Sequence, residues 1–167
     1  MEQKVNVISV AVLLFLFFCW GCSQPAEYRI ENWPDYLGDA HRSQYSELDQ
    51  INLENVDQLT VAWTYEMQDS GQLQVNPLII NGVLFGVTPT LQVVALDAAT
   101  GEEIWQFSDS LSHWASTSRG VSYWEGEREE RIFYTIGDQL WALNAKNGEP
   151  INSFGEGGYI DLHLGLP

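Results

Sequence analysis

The segment Ala95-Leu96-Asp97-Ala98-Ala99-Thr100-Gly101-Glu102 returns as Ala142-Leu143-Asn144-Ala145-Lys146-Asn147-Gly148-Glu149, every residue 47 positions further on. Ile104 and Phe107 fall on Ile151 and Phe154 at the same spacing. A period in this range marks a chain built from copies of one supersecondary unit, each of which needs a neighbour to bury its apolar face. Two unrelated hairpins of a sandwich are the competing explanation. Size, turn chemistry and order agree at most of the aligned positions, which chance pairing does not supply.

Each unit reads as four short strands. Residues 74–80 and 83–87 flank Asn81-Gly82, a dipeptide suited to a tight hairpin because both turn positions require positive φ. Residues 91–97 and 103–107 flank Thr100-Gly101 in the same way. The second unit repeats the pattern at 119–124, 131–136, 139–144 and 150–154. Residues 59–66 (LTVAWTYE) alternate apolar and polar and read as a further half-buried strand. Within each repeat Asp97 or Asn144 is placed to cap its turn, and Gly101 or Gly148 to take the left-handed position. Small Ala95 and Ala142 permit close approach to a neighbouring unit. The indole N–H of Trp105 needs an acceptor once buried. Four strands per unit at this spacing predict an all-β fold, two blades of a β-propeller. No helix longer than about three turns is expected between residues 59 and 154.

Ahead of the repeats lie two other stretches. From Val7 to Gly21 the run VISVAVLLFLFFCWG holds one polar residue, Ser9. At ~1.5 Å per residue it falls short of a ~30 Å hydrocarbon core and suits the apolar part of a secretory signal. Its end, Cys19-Trp20-Gly21-Cys22, resembles a bacterial lipoprotein box, although Trp20 is bulky and Cys19 replaces the usual Leu. That resemblance implies a signal peptide at 1–21, lipidation of Cys22 and a membrane-anchored periplasmic or extracytoplasmic protein; a buried core helix or an uncleaved anchor is the alternative. Residues 22–58 read as a linker and irregular segment, with one short helical turn within 49–59 capped by Asn52 or Asn55. The incomplete propeller then occupies 59–167.

Composition removes several function classes. Seven Lys and Arg stand against 23 Asp and Glu, a net charge of −16. Nucleic-acid binders neutralise phosphates with clustered cations, so nucleic acid is not an expected partner. No cysteine follows Cys22, which removes a disulfide framework and a thiolate metal site from the folded part. His41, His113 and His163 are too dispersed for a ligand set. Gly155-Glu156-Gly157-Gly158 lacks the Lys and the following helix of a phosphate loop. The acidic run from Glu125 to Glu130 reads as a solvated turn tip.

The run formed by Ala95, Asp97, Thr100, Gly101 and Trp105 resembles the tryptophan-docking motif of the quinoprotein dehydrogenases, which depend on pyrroloquinoline quinone (PQQ). The second unit carries Asn152 where Trp105 stands in the first. Likeness continues through the segment Ile51 to Tyr65, the hairpin Asn76-Pro77-Leu78 to Leu84, Ser118-Arg119-Gly120-Val121-Ser122-Tyr123-Trp124 and the stretch Phe154 to Leu162. The chain is similar to the N-terminal quarter of such an enzyme, nearest the membrane-bound glucose dehydrogenase type.

That likeness implies an eight-bladed ring with PQQ and Ca²⁺ near its axis, oxidation of a sugar or alcohol hydroxyl, and a quinone or cytochrome as electron acceptor. It assigns Arg119 to the cofactor, with Gln74 and Asn76 as further contacts. A surface arginine paired with Glu125 or Glu127 is the other reading of Arg119. Gln74 stands where several members have a glutamate. His113-Trp114 replaces the vicinal cysteines of the alcohol-oxidising branch, and Ala115 replaces a histidine of the glucose branch. The catalytic aspartate and the Ca²⁺ ligands are expected beyond Pro167, so the chain alone is expected to be inactive. A non-enzymatic envelope lipoprotein that uses a similar propeller as a protein-binding scaffold is the competing function.

Overall fold

A computed structural model of the protein describes residues 31–110 and 117–164. Two four-stranded antiparallel sheets are formed in chain order. The first holds β1 (Leu78–Ile80), β2 (Val83–Val87), β3 (Val93–Asp97) and β4 (Glu103–Phe107). The second holds β5 (Ser122–Glu125), β6 (Glu130–Ile136), β7 (Gln139–Asn144) and β8 (Tyr159–Asp161). These are the two expected blades, and among the described residues the single helical element is a 3-10 turn at Val56–Gln58. Asn81 and Gly82 join β1 to β2 with φ of 51° and 80°, as the hairpin requires.

Three strands begin later than their sequence pattern suggests. Asn76 turns its backbone to the neighbouring sheet in a parallel bridge to Gly120, so β1 starts only after Pro77. Leu91 has a φ of 65° and its N–H closes a turn on the Thr88 carbonyl at 3.0 Å, which delays β3 to Val93. Arg119 and Gly120 lie outside the regular ladder, so β5 begins at Ser122.

The fourth strand of the second blade is a correction. Residues 150–154 pair only at the start, where Pro150 bridges Leu143 and the Ile151 N–H donates to the Ala142 carbonyl at 2.9 Å. The chain then turns: the Phe154 N–H bonds back to Ile151, and Gly155, Gly157 and Gly158 all take positive φ. Pairing resumes at Tyr159–Asp161 against the opposite end of β7. The repeat thus breaks where the three glycines supply a loop that the first blade lacks.

The blades pack face to face. Phe85, Val87, Val93, Ala95 and Trp105 of the first share one buried cluster with Ile132, Tyr134, Ile136, Trp141 and Leu143 of the second. Phe107 is the hinge of its aromatic part, with ring centroids 5.1 Å from Trp141 and 6.0 Å from Tyr134. Offset and edge-on pairs at such spacings contribute about 0.5–1.5 kcal/mol each beyond area burial.

Residues 59–66 have no ladder partner among the described residues, which corrects their reading as a paired strand. Their alternation is nonetheless used: Trp63 and Tyr65 are partly buried while their neighbours are exposed. The Trp63 indole donates to the Ala98 carbonyl at 3.1 Å, and the Tyr65 hydroxyl donates to Glu103 at 2.5 Å. This segment therefore lies against the first blade as β4 lies against the second.

Candidate cofactor cleft and blade joints

The two sheets are bridged through backbone just ahead of their first strands. The Asn76 N–H donates to the Arg119 carbonyl at 3.1 Å, and the Asn76 side-chain amide reaches the same oxygen at 3.4 Å. Gly120 makes this approach possible: its φ is 121°, and a Cβ there would meet the Asn76 carbonyl oxygen at 2.6 Å. Beside the junction is a cleft of about 420 Å³ lined by Tyr36, Asn76, Arg119, Gly120, Val121 and Ser122. That volume lies within the usual range of small-molecule pockets, about 300–1,000 Å³.

Arg119 is exposed in this cleft and forms no ion pair with a described residue. The second sheet's ion pairs lie elsewhere, Arg131 with Glu129 and Lys146 with Glu130 at 3.5 Å. Among the described residues neither Glu125 nor Glu127 pairs with Arg119, which lines the cleft. Gln74, half-buried, lies outside the cleft lining, two residues ahead of Asn76. Asn76 spends its amide on holding the next blade. Tyr36 belongs to a stretch whose sequence shows no periodicity, and nothing in that pattern pointed to it. His113, Trp114, Ala115 and Cys22 lie outside the described residues.

The tryptophan motif is divided between neighbouring elements. Asp97 caps its own turn, accepting from the N–H of Ala99 at 3.0 Å and of Thr100 at 2.8 Å and from the Thr100 hydroxyl. These bonds hold its carboxyl below the usual aspartate value. Trp105, by contrast, leaves its own unit: its indole N–H donates to the Ala145 carbonyl of the second blade at 3.0 Å. The ring lies over Gly148, where a Cβ would stand 2.5 Å from it. Trp63 does the same one joint earlier, over Ala98 and Gly101, again with a Cβ distance of 2.5 Å. Ala98 with Gly101 and Ala145 with Gly148 are thus two copies of one receptor for an indole. Trp63 had no part in the motif as read from sequence, since its spacing to Trp105 differs from the 47-residue period.

A second cleft, between residues 65–69 and the first blade, is acidic. Asp69 accepts from the Thr88 hydroxyl at 2.7 Å, the Thr90 N–H at 2.9 Å and the Thr90 hydroxyl, and so ties this segment to the β2–β3 turn. Burial, then the bond to Glu103, pushes the Tyr65 phenol up to about 12. No group of three His, Cys, Asp or Glu side chains among the described residues is placed to hold a metal ion.

Comparison with known proteins adds identity to this geometry. Residues 33–167 match the PQQ family described as glucose/ethanol/alcohol dehydrogenase, beta-propeller domain. The dehydrogenase subunit of the quinone alcohol dehydrogenase of Gluconobacter oxydans is 36% identical over 71% of this chain and 16% of its own length. Quinoprotein glucose dehydrogenase of Escherichia coli is 31% identical over 82% of this chain and 20% of its own. Among solved structures, quinohemoprotein alcohol dehydrogenase of Comamonas testosteroni superposes with a TM-score of 0.69 at 26% identity, over 84% of this chain and 21% of that one. The chain spans about a fifth of the length of these relatives. Its two face-packed blades, and the match over nearly all the residues that build them, place the chain in the family of PQQ-dependent dehydrogenases.

Proposed function

We propose that this chain forms the opening arc of the propeller of a PQQ-dependent dehydrogenase that oxidises a sugar or alcohol hydroxyl and delivers the electrons to a quinone or cytochrome. The observation that carries this reading is Arg119, a cation without an ion pair among the described residues, held beside a small-molecule cleft where the inner strands of two blades meet. The residues present fit the group. PQQ is a planar quinone bearing carboxylates, and a guanidinium fork is suited to bidentate bonds with carboxylate or quinone oxygens. Gly120, with no Cβ, lets the Asn76 backbone approach the residue that follows Arg119.

When bound, PQQ supplies the two-electron redox chemistry. The chain's own residues contribute position: Asn76 fixes the Arg119 backbone, and Arg119 orients an anionic group. Gln74 is proposed as a weaker, neutral contact.

The experiment is reconstitution of the apo form of the full-length protein with PQQ, following dye reduction with a sugar or an alcohol as the cofactor is titrated. Arg119→Lys keeps the charge and loses the fork, while Arg119→Ala loses both. Each bond to an ionised partner contributes about 1.5–3 kcal/mol, so PQQ affinity should fall at least tenfold in the alanine variant, with lysine between. Equal PQQ requirements for Arg119→Ala and the unaltered protein would make Arg119 a structural residue.

A further inference from the structure

The inner edge of the first blade is covered by a strap from the N-terminal stretch. Ile79 is bonded on that edge by Trp33 through both backbone groups, at 2.7 and 3.1 Å. The Asn32 side-chain oxygen accepts from the Asn81 N–H at 2.8 Å. The chain then closes on itself, with the Gly38 N–H bonded to the Asp35 carbonyl and the Gln44 N–H to that of Leu37, each at 3.0 Å. Gly38 has a φ of 101°, and a Cβ there would come within 3.0 Å of the Trp33 ring. Bonds at both ends and a glycine-dependent turn fix the strap in one place.

What the strap delivers to the cleft is Tyr36. It shares the cleft lining with Asn76 and Arg119, is about half exposed (49%), and has the Arg42 guanidinium 5.7 Å from its ring centroid. Most of the chain repels a polyanion, since 23 acidic residues face 7 basic ones. Two of those seven, Arg42 and Arg119, stand at this place. A flat ring with the Arg42 cation over it, in a cleft that Arg119 also lines, suits a planar anionic ligand.

We propose that Tyr36 is a wall of the cofactor cleft, packing its ring against the planar group that Arg119 holds and closing the cleft on the side of the strap. This rests on the reading of the chain as part of a PQQ-dependent dehydrogenase. The test uses the full-length protein loaded with PQQ and two measurements that do not involve turnover. In the first, PQQ release after gel filtration is followed by its absorbance. Tyr36→Ala should release it about tenfold faster, the effect of removing one aromatic contact, and Tyr36→Phe within about twofold of the unaltered rate. In the second, Tyr36→Cys is labelled with a maleimide, and PQQ should slow its labelling about tenfold. Unchanged release from Tyr36→Ala, or labelling of Tyr36→Cys indifferent to PQQ, overturns the proposal while leaving the functional reading intact. Should Tyr36→Ala fail to fold, the labelling result decides. Failure of the unaltered protein to take up PQQ overturns the functional reading and the role of Tyr36 with it.

Discussion

Asp97 and Asn144 occupy the same place in two copies of one turn and differ by a charge. Both accept backbone N–H bonds from the residue two positions on, at 3.0 and 2.9 Å. Asp97 also receives the Thr100 N–H and hydroxyl, and these bonds lower its carboxyl pKa. A carboxyl that titrates lower in the folded state than its unfolded value of about 3.9 contributes stability above that value. The contribution disappears as pH falls through the folded value. Asp97→Asn keeps an acceptor, as Asn144 shows, and removes the titration. The variant should therefore melt below the unaltered protein near neutral pH, and the two melting temperatures should converge as pH falls below the ordinary carboxylate range. Thermal unfolding followed at several pH values checks this, and a gap that stays constant with pH would mean that the charge of Asp97 is immaterial to the turn.

At the scale of elements, one part of the joint between blades is an indole set on a glycine. Gly148 has a φ of 72°, and Trp105 occupies the place of its missing Cβ. Gly148→Ala combines a left-handed alanine, about 1–2 kcal/mol, with overpacking of about 1–3 kcal/mol. The sum is a loss of about 2–5 kcal/mol, to be read from denaturant unfolding. Trp105→Phe removes the ring edge together with the donor to Ala145 and should relieve part of the clash. The double variant should therefore lose less than the two single variants added, and simple additivity would show that the two residues do not form one joint. The sequence made the turns of this joint legible in part: Asn81, Gly82 and Gly101 take the positive φ their turns suggest, while Thr100 does not. It hid the partners: an indole docks on the next repeat, so Trp105 and Trp63 look like members of their own strands. The fourth strand of the second blade was misplaced for a related reason, since apolar Ile151 and Phe154 kept the period while Gly155, Gly157 and Gly158 broke the ladder. Arg119 and Asn76 were legible only through family likeness. Tyr36 was not legible at all, because a strap held by backbone bonds carries no side-chain period.

For the whole molecule, charge sets how it can meet a membrane. A net charge of −16 opposes adsorption to an anionic lipid surface, where basic segments rather than acidic ones are attracted. Association with a membrane must then come from apolar burial, and the one concentrated apolar run in the sequence is Val7 to Gly21, ending at Cys22. If that run is a cleaved signal and Cys22 becomes the acylated first residue, each buried methylene contributes about 0.8 kcal/mol, and two or more chains give stable anchoring where one does not. Such an anchor is independent of charge, so high salt should leave the protein in the membrane fraction and detergent should release it. Cys22→Ser removes the acceptor and should lose the membrane-bound, acylated form. Mass spectrometry of the N-terminal peptide from the unaltered protein distinguishes the cases. An acylated Cys22 at the mature N-terminus supports an extracytoplasmic, lipid-tethered protein. An unmodified Cys22, or a soluble mature form cut elsewhere, removes the lipid tether.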